Sequence, residues 1–195
     1  MKKITLNLLL VIIAVTITGC IVSDESENYK REEISISDKA EGLEISDISS
    51  DVQIISTDAD DKISVEYTDS IDGGLYDFEV EEGILKIVKT RTTRYNDESN
   101  IVVKLPEKKY KTISVQTTNG NIELYGIEAS VYNLNTENGD IEGHLKGKYE
   151  DYMVKVKTKN GDSNLQDNIV NKENKIDIEI KNGDVDIQFM EEKSV

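Results

Sequence analysis

The sequence predicts an all-β chain whose main body is a single-stranded β-solenoid, a β-helix-like stack of similar coils. Three observations carry this. After residue 33 no stretch keeps an apolar period of 3.6, whereas strict alternation recurs, as in Ile63-Ser-Val65-Glu-Tyr67, Ile113-Ser-Val115 and Ile176-Asp-Ile178-Glu-Ile180. Asn-Gly returns at Asn119-Gly120, Asn138-Gly139, Asn160-Gly161 and Asn182-Gly183, at spacings of 19, 22 and 22 residues. Each copy also sits in one frame: ISVQTTNGNIEL from Ile113, YNLNTENGDIEG from Tyr132, VKVKTKNGDSNL from Val154 and IDIEIKNGDVDI from Ile176.

In chain order, Lys2 and Lys3 precede an uncharged, mostly apolar run that ends in Ile17-Thr18-Gly19-Cys20. The run is short for a spanning helix and suits a signal peptide. Small residues followed by the chain's only Cys resemble a bacterial lipobox, with Ile17 where Leu is usual. The expectation is a lipoprotein signal peptide over residues 1–19, lipidated Cys20, and a mature chain held on the outer side of a bacterial cell membrane. An uncleaved N-terminal anchor is the alternative. Removing residues 1–19 takes away two Lys and no acid, leaving 21 basic against 39 acidic residues, a net of −18. Such a body is repelled by anionic lipid, so a covalent anchor makes physical sense. Residues 20–33 hold this Cys and the segment SDESENYKREE, which reads as a flexible tether with a reach of about 20 Å. The β-repeat domain is expected over 34–195.

Within that domain LEISDISSDVQI, from Leu43, is a degenerate copy with Ser49-Ser50 in place of Asn-Gly. Tyr76 to Val88 reads as two strands about a Glu81-Glu82-Gly83 turn, Arg91 to Asn100 as a polar loop, and Asn100 to Leu105 as a strand ended by Pro106. The Asn-Gly pairs admit a second architecture. Asn-Gly between alternating strands is also a strong hairpin signal, because a type I′ turn needs positive φ twice. An antiparallel meander or sandwich of hairpins is therefore the alternative. Repetition of one frame favours coils, since stacked corners bury matching Ile and Val in ladders, each pairing with the next.

IVVKLPEKKYKTISVQTTNGNIEL followed by the Asn-Gly-Asp copies resembles the bacterial DUF4097 family, which carries the label adhesin. The likeness spans about residues 40–190. It implies a solenoid-like β fold in exported or membrane-tethered envelope proteins, some tied to envelope-stress systems, and it brings no catalytic residues.

Composition narrows the chemistry. With 23 basic and 39 acidic residues, a net of −16, nucleic acid would be repelled. The one Cys, one His and absence of Trp leave no disulfide framework and little for a zinc site. His144, in Gly143-His144-Leu145, is the sole imidazole and reads as a solvated loop residue rather than a general base. Carboxylates are too abundant to single out a glycosidase pair. No enzyme, metal or cofactor is expected. Asp58, Asp60, Asp61 and the Asn-Gly-Asp turns offer oxygen ligands for calcium, but tight-turn geometry explains the same residues. Residues 84–111 carry eight basic and three acidic side chains inside an acidic protein. Lys104, Lys108, Lys109 and Lys111 are thus candidates for an anion, although facing the acidic coils is the preferred role. The function expected is adhesion or binding of an envelope polymer or protein partner by a non-catalytic, lipid-anchored domain, with edge strands or the outward rows of Thr, Asn and Lys making contact. The alternative is an envelope-stress sensor that takes an anionic ligand or a membrane partner.

Overall fold

The computed structural model describes residues 14–15, 29–36, 40–58, 61–91 and 100–191. The expected lipobox Ile17, Thr18 and Gly19 and the expected lipidation site Cys20 lie outside these, as do residues 92–99. Within them the chain is all-β, with one 3₁₀ turn at Tyr149–Asp151. The strands are β1 (Ala14–Val15), β2 (Tyr29–Ile36), β3 (Gly42–Ser46), β4 (Asp51–Thr57), β5 (Ile63–Ser70), β6 (Tyr76–Glu81) and β7 (Ile84–Lys89). They continue as β8 (Asn100–Pro106), β9 (Lys109–Asn119), β10 (Ile122–Asn138), β11 (Ile141–Lys146), β12 (Tyr152–Asn160), β13 (Asn174–Asn182) and β14 (Val185–Met190).

The strands form two sheets joined through β10. The first runs β1-β2-β5-β8-β4-β10-β11-β14, using the first part of β10. The second runs β6-β7-β3-β9-β10-β13-β12, using the rest. Gly126, at φ +68°, takes up the register shift at the bend between them. From β3 onward the ladders joining the copies are parallel, and their register is the frame of the repeats. Leu43 pairs with Ile113, Ile113 with Tyr132, Tyr132 with Ile176, and Ile176 with Val154. In the first sheet Val52, Ile122, Ile141 and Val185 align in the same way. These inward columns are buried and belong to one apolar cluster fed by both sheets. Each buried aliphatic side chain contributes about 1.5–3 kcal/mol, which holds the pile together.

The Asn-Gly pairs are corners between the two sheets. The strands on either side of each pair ladder with neighbouring copies instead of closing a hairpin. Antiparallel pairing does occur at the N-terminal end. β6 and β7 form the expected hairpin, with Glu82 at φ +52° and Gly83 at φ +78° as its turn, and β5 runs antiparallel to both β2 and β8.

Two expectations need correction. The tether was expected to reach residue 33, but strand β2 begins at Tyr29 and pairs with β5 through Tyr29–Ser70. Its apolar period is short because only Ile34 and Ile36 are buried; the backbone ladder carries the polar remainder. Coils were also expected to stack in sequence order. Instead β13 inserts between β10 and β12, so the corner of Asn160 follows that of Asn182 in space. The copy sent to the end is the one suited to it. It has Ser163 where the others have Ile122, Ile141 or Val185, and Lys155, Lys157 and Lys159 along its outer face, residues that protect an edge strand. Residues 161–170 then cover part of that edge. Asn168 and Val154 exchange backbone hydrogen bonds at 2.8 and 3.0 Å, the Val156 N–H donates to Asp167 Oδ1, and Leu165 is buried.

Five of the described tyrosines, Tyr67, Tyr76, Tyr110, Tyr132 and Tyr152, are buried around the core. Tyr132 donates to the Ile127 carbonyl, Tyr152 to Ala129 and Tyr110 to Pro106, bracing the bend of β10 and the entry to β9. Burial pushes the phenols of Tyr67 and Tyr110 up to about 12 and raises those of Tyr132 and Tyr152. A phenol that stays protonated longer in the folded chain binds more protons there than in the unfolded chain. Stability is therefore full below about pH 10, the ordinary phenol value, and falls as pH rises through about 12. Chemical denaturation midpoints should be flat up to about pH 10 and decline above it. Tyr132→Phe should lower stability by about 1 kcal/mol at neutral pH and make that decline shallower. An unchanged slope in the variant would show that Tyr132 takes no part.

Candidate functional site

All four predicted corners lie along one edge of the stack, in the order Asn119, Asn138, Asn182, Asn160. Their side chains form a continuous amide ladder. Nδ2 of Asn138 donates to Oδ1 of Asn119 at 2.9 Å, Asn182 to Asn138 at 2.7 Å, and Asn160 to Asn182 at 2.7 Å. A second ladder runs beside it, two residues on. The backbone N–H of Asn121 donates to Asp51, that of Asp140 to Asn121, that of Asp184 to Asp140 and that of Asp162 to Asp184, at 2.7–2.9 Å. The glycines between are fixed by contact. A Cβ on Gly139 would lie 2.2 Å from the Gly120 carbonyl oxygen, and Gly183 and Gly161 repeat this against their neighbours at 2.1 and 1.9 Å. Turn chemistry thus explains Asn, Gly and Asp together, and the Asp oxygens point at the next coil's N–H groups. Among the described residues no group of three or more His, Cys, Asp or Glu is placed to hold a metal ion. Of the calcium candidates, Asp58 and Asp61 are exposed and Asp60 lies outside the described residues.

The first corner departs from the pattern. Asp47 stands at the turn, and its Oδ1 accepts the N–H groups of Ile48, Ser49 and Ser50 at 2.6–2.9 Å. Its Oδ2 accepts the Tyr76 hydroxyl at 2.8 Å. Lys89 from the basic band lies beneath, 3.8 Å from Oδ1, and donates to the hydroxyl of Ser50 at 3.0 Å. The Lys89 and Asp47 side chains are 1% and 0% exposed.

The four basic candidates are not gathered into an anion site. Lys104 pairs with Glu66 at 2.5 Å, and its hydrogen bond pulls that carboxyl below the usual range. Lys111 pairs with Glu41 and does the same there. Lys108 donates to the Ala40 carbonyl at 2.8 Å and lies over the Tyr110 ring. Lys109 is exposed, with no ion pair among the described residues. His144, expected in a loop, is on β11 and half-buried. The alternation Ile141-Glu-Gly143-His-Leu145 carries it, and Gly143 obscured that pattern. Its ring stacks on Tyr125 with centroids 6.4 Å apart. The hydrogen bond from Tyr125 to Glu123, at 2.9 Å, raises that phenol above its ordinary value.

The outer face of the second sheet was not legible as a site from single residues. In register, its rows read Glu44-Ser114-Asn133-Asp177-Lys155, Ser46-Gln116-Asn135-Glu179-Lys157 and Thr118-Glu137-Lys181-Lys159. Charges at the β12–β13 side offset one another: Lys155 with Asp177 at 3.5 Å, Lys157 with Glu179 at 3.6 Å, and Lys181 with Glu137 at 3.1 Å. Ser114, Gln116, Thr118, Asn133 and Asn135 leave an uncharged field of donors and acceptors between these pairs and the exposed Glu44 of β3. Only the register, which aligns alternate residues of separate copies, reveals this.

The family model Toastrack DUF4097 matches residues 40–194. The chain belongs to the Toastrack DUF4097 family. The match includes the Asp47 corner and all four Asn-Gly corners of the Toastrack chain. Among solved structures, a proposed cell adhesion protein from Clostridium sporogenes is 16% identical with a TM-score of 0.55, over 83% of this chain and 100% of that one. It shares the fold. A proposed adhesin from Bacteroides fragilis is 9% identical, over 83% of this chain and 97% of that one, with a TM-score of 0.35. A proposed lipid binding protein from Parabacteroides distasonis is 15% identical, over 84% and 97%, with a TM-score of 0.29. No curated protein matches the chain.

Proposed function

We propose that this Toastrack chain is a non-catalytic binding protein of the bacterial envelope. It is anchored through Cys20 on the extracytoplasmic side and presents its solenoid-like stack to a hydroxyl-rich envelope polymer. The observation that carries this reading is the uncharged field of Ser114, Gln116, Thr118, Asn133 and Asn135 on adjacent parallel strands. Amides and hydroxyls at strand spacing, about 4.8 Å, can exchange hydrogen bonds with a repeating chain of hydroxyls, and the neighbouring ion pairs keep net charge out of the contact. The names of the structural neighbours, adhesins among them, agree with a binding role. For the sensor reading, the basic band is the candidate anion site, and its Lys104, Lys108 and Lys111 already engage partners within the fold.

One experiment tests both parts. Cells carrying the native chain, the Cys20→Ala variant or the triple variant Gln116→Ala, Asn133→Ala, Asn135→Ala are fractionated and mixed with purified wall polysaccharide. The native chain should stay with the membrane and retain the polymer. Cys20→Ala should be released from the membrane. The triple variant should stay anchored and lose about tenfold in binding, since each lost hydrogen bond contributes about 0.5–1.5 kcal/mol. Membrane retention of Cys20→Ala would end the anchoring claim, and undiminished binding by the triple variant would end the claim for this face.

A further inference from the structure

The four corners share Asn-Gly but not their hydrogen bonds. The Gly120 N–H donates to the Asn138 carbonyl at 2.9 Å, Gly139 to Asn182 at 3.0 Å, and Gly183 to Asn160 at 3.0 Å. Each is held by the next coil in space. The Asn160 coil is last, and among the described residues the Gly161 N–H has no hydrogen-bond partner. The leaving amides differ as well. The Asn138 amide nitrogen donates to Thr118 and Asn119, that of Asn182 to Glu137 and Asn138, and that of Asn160 to Asn182 alone, while that of Asn119 donates to none of the described residues, so the backbone N–H is what sets Asn160 apart. Both Asn160 and Gly161 are exposed.

From this we infer that Asn160 is a site of spontaneous covalent modification, deamidation through a cyclic imide. The Gly161 nitrogen attacks Cγ of Asn160 and loses its proton. The Cγ–Nδ2 bond breaks and ammonia leaves. Water then opens the five-membered ring at one of its two carbonyls, giving aspartate or isoaspartate. In sum, one side-chain amide and one water become one carboxyl group and one ammonia. Glycine is the least obstructed residue to supply the attacking nitrogen, so all four corners are competent in an unfolded chain. In the folded chain a nitrogen whose N–H is held by a neighbouring carbonyl must first lose that bond and move, and only Gly161 is spared this.

The product alters the end of the stack. A carboxylate at 160 has no donor for the Asn182 Oδ1 and adds a negative charge beside Lys159. Isoaspartate also lengthens the backbone at the corner that joins β12 to the residues covering its edge. The reaction is therefore a slow, one-way mark of age placed at the open end of the ladder.

The test is peptide mapping by mass spectrometry of the full chain, incubated at mildly alkaline pH, with isoaspartate resolved from aspartate. A parallel sample is held in denaturant. In the folded chain Asn160 should convert about fivefold or more faster than Asn119, Asn138 and Asn182, the factor expected for one hydrogen bond of protection. In denaturant the three Asn-Gly-Asp sites should converge. Equal rates at the four corners of the folded chain would overturn the inference. So would the same ranking with and without denaturant, because local sequence would then set the rates.

Discussion

Gly139→Ala is expected to destabilise the chain by about 3–5 kcal/mol, a large share of the 5–15 kcal/mol typical of a whole domain. The new Cβ would sit 2.2 Å from the Gly120 carbonyl oxygen and 2.5 Å from its carbon. Both are backbone atoms clamped in a parallel ladder, so no flexible side chain can swing aside. Gly139 also lies at φ +151°, where an L side chain is strained by about 1–3 kcal/mol before any clash is counted. Retreat of the Gly120 strand would break the Gly120 N–H bond to Asn138 and loosen two coils at once. Asn138→Ala, one residue earlier, is the control. It removes an exposed amide and its ladder bonds, at a cost of about 1 kcal/mol. Urea unfolding of the two variants, compared at equal m-value, measures the difference. If Gly139→Ala costs no more than Asn138→Ala, the corners are not the close backbone contacts described.

The same geometry shows why part of the molecule was legible and part was not. Each repeat was aligned on its Asn-Gly, and that alignment became the ladder register, Ile113 on Tyr132 and Val154 on Ile176, because identical corners can only stack in phase. The degenerate copy at Leu43 also fell in register, with Ser50 where Gly120 stands. The spatial order was not legible in the same way. Every copy's inward face suits any position, so the order of β12 and β13 depends on which copy tolerates an open edge. That signal was present in Lys155, Lys157, Lys159 and Ser163, but it acts through an edge that exists only once the stack is built. On the outer face of the second sheet the outward rows were legible but their grouping was not: Gln116 and Asn135 are 19 residues apart and become neighbours through pairing alone. The basic band faces the acidic coils, the role preferred for it over an anion site. Lys104 and Lys111 are near one another in sequence, yet long-range carboxylates Glu66 and Glu41 claim them. His144 misled because a glycine three residues past Asp140 looked like more turn, whereas Gly143 is a strand residue pressed against the Leu124 backbone.

Asp47→Ala is the second large effect expected, at about 3–5 kcal/mol, and it should exceed Lys89→Met several-fold. The asymmetry follows from who depends on whom. The Asp47 carboxylate accepts three backbone N–H groups and the Tyr76 hydroxyl, so without Lys89 it keeps four hydrogen bonds. Lys89, in contrast, is sealed from water, and Asp47 supplies its compensating charge at 3.8 Å. Deleting the carboxylate strands that ammonium and leaves three buried or half-buried N–H groups without their acceptor, each a cost of about 1–3 kcal/mol if unrelieved. Lys89→Met should cost about 1 kcal/mol, since a side chain of similar length refills the space over the Tyr76 ring. Combining the two should recover part of the Asp47→Ala loss, because the lone charge is gone while the N–H groups remain unmet. A double-mutant cycle in urea separates these contributions. Equal losses for the two single variants would mean that the ion pair, not the backbone cap, holds this corner. The location gives the result its reach: Asp47 caps the Ser49-Ser50 turn that joins β3 to β4, where the parallel coils meet the antiparallel strands. A failure there frees Leu43, Ile45, Val52 and Ile54 from the core together, so loss of stability should appear as one cooperative transition at lower denaturant.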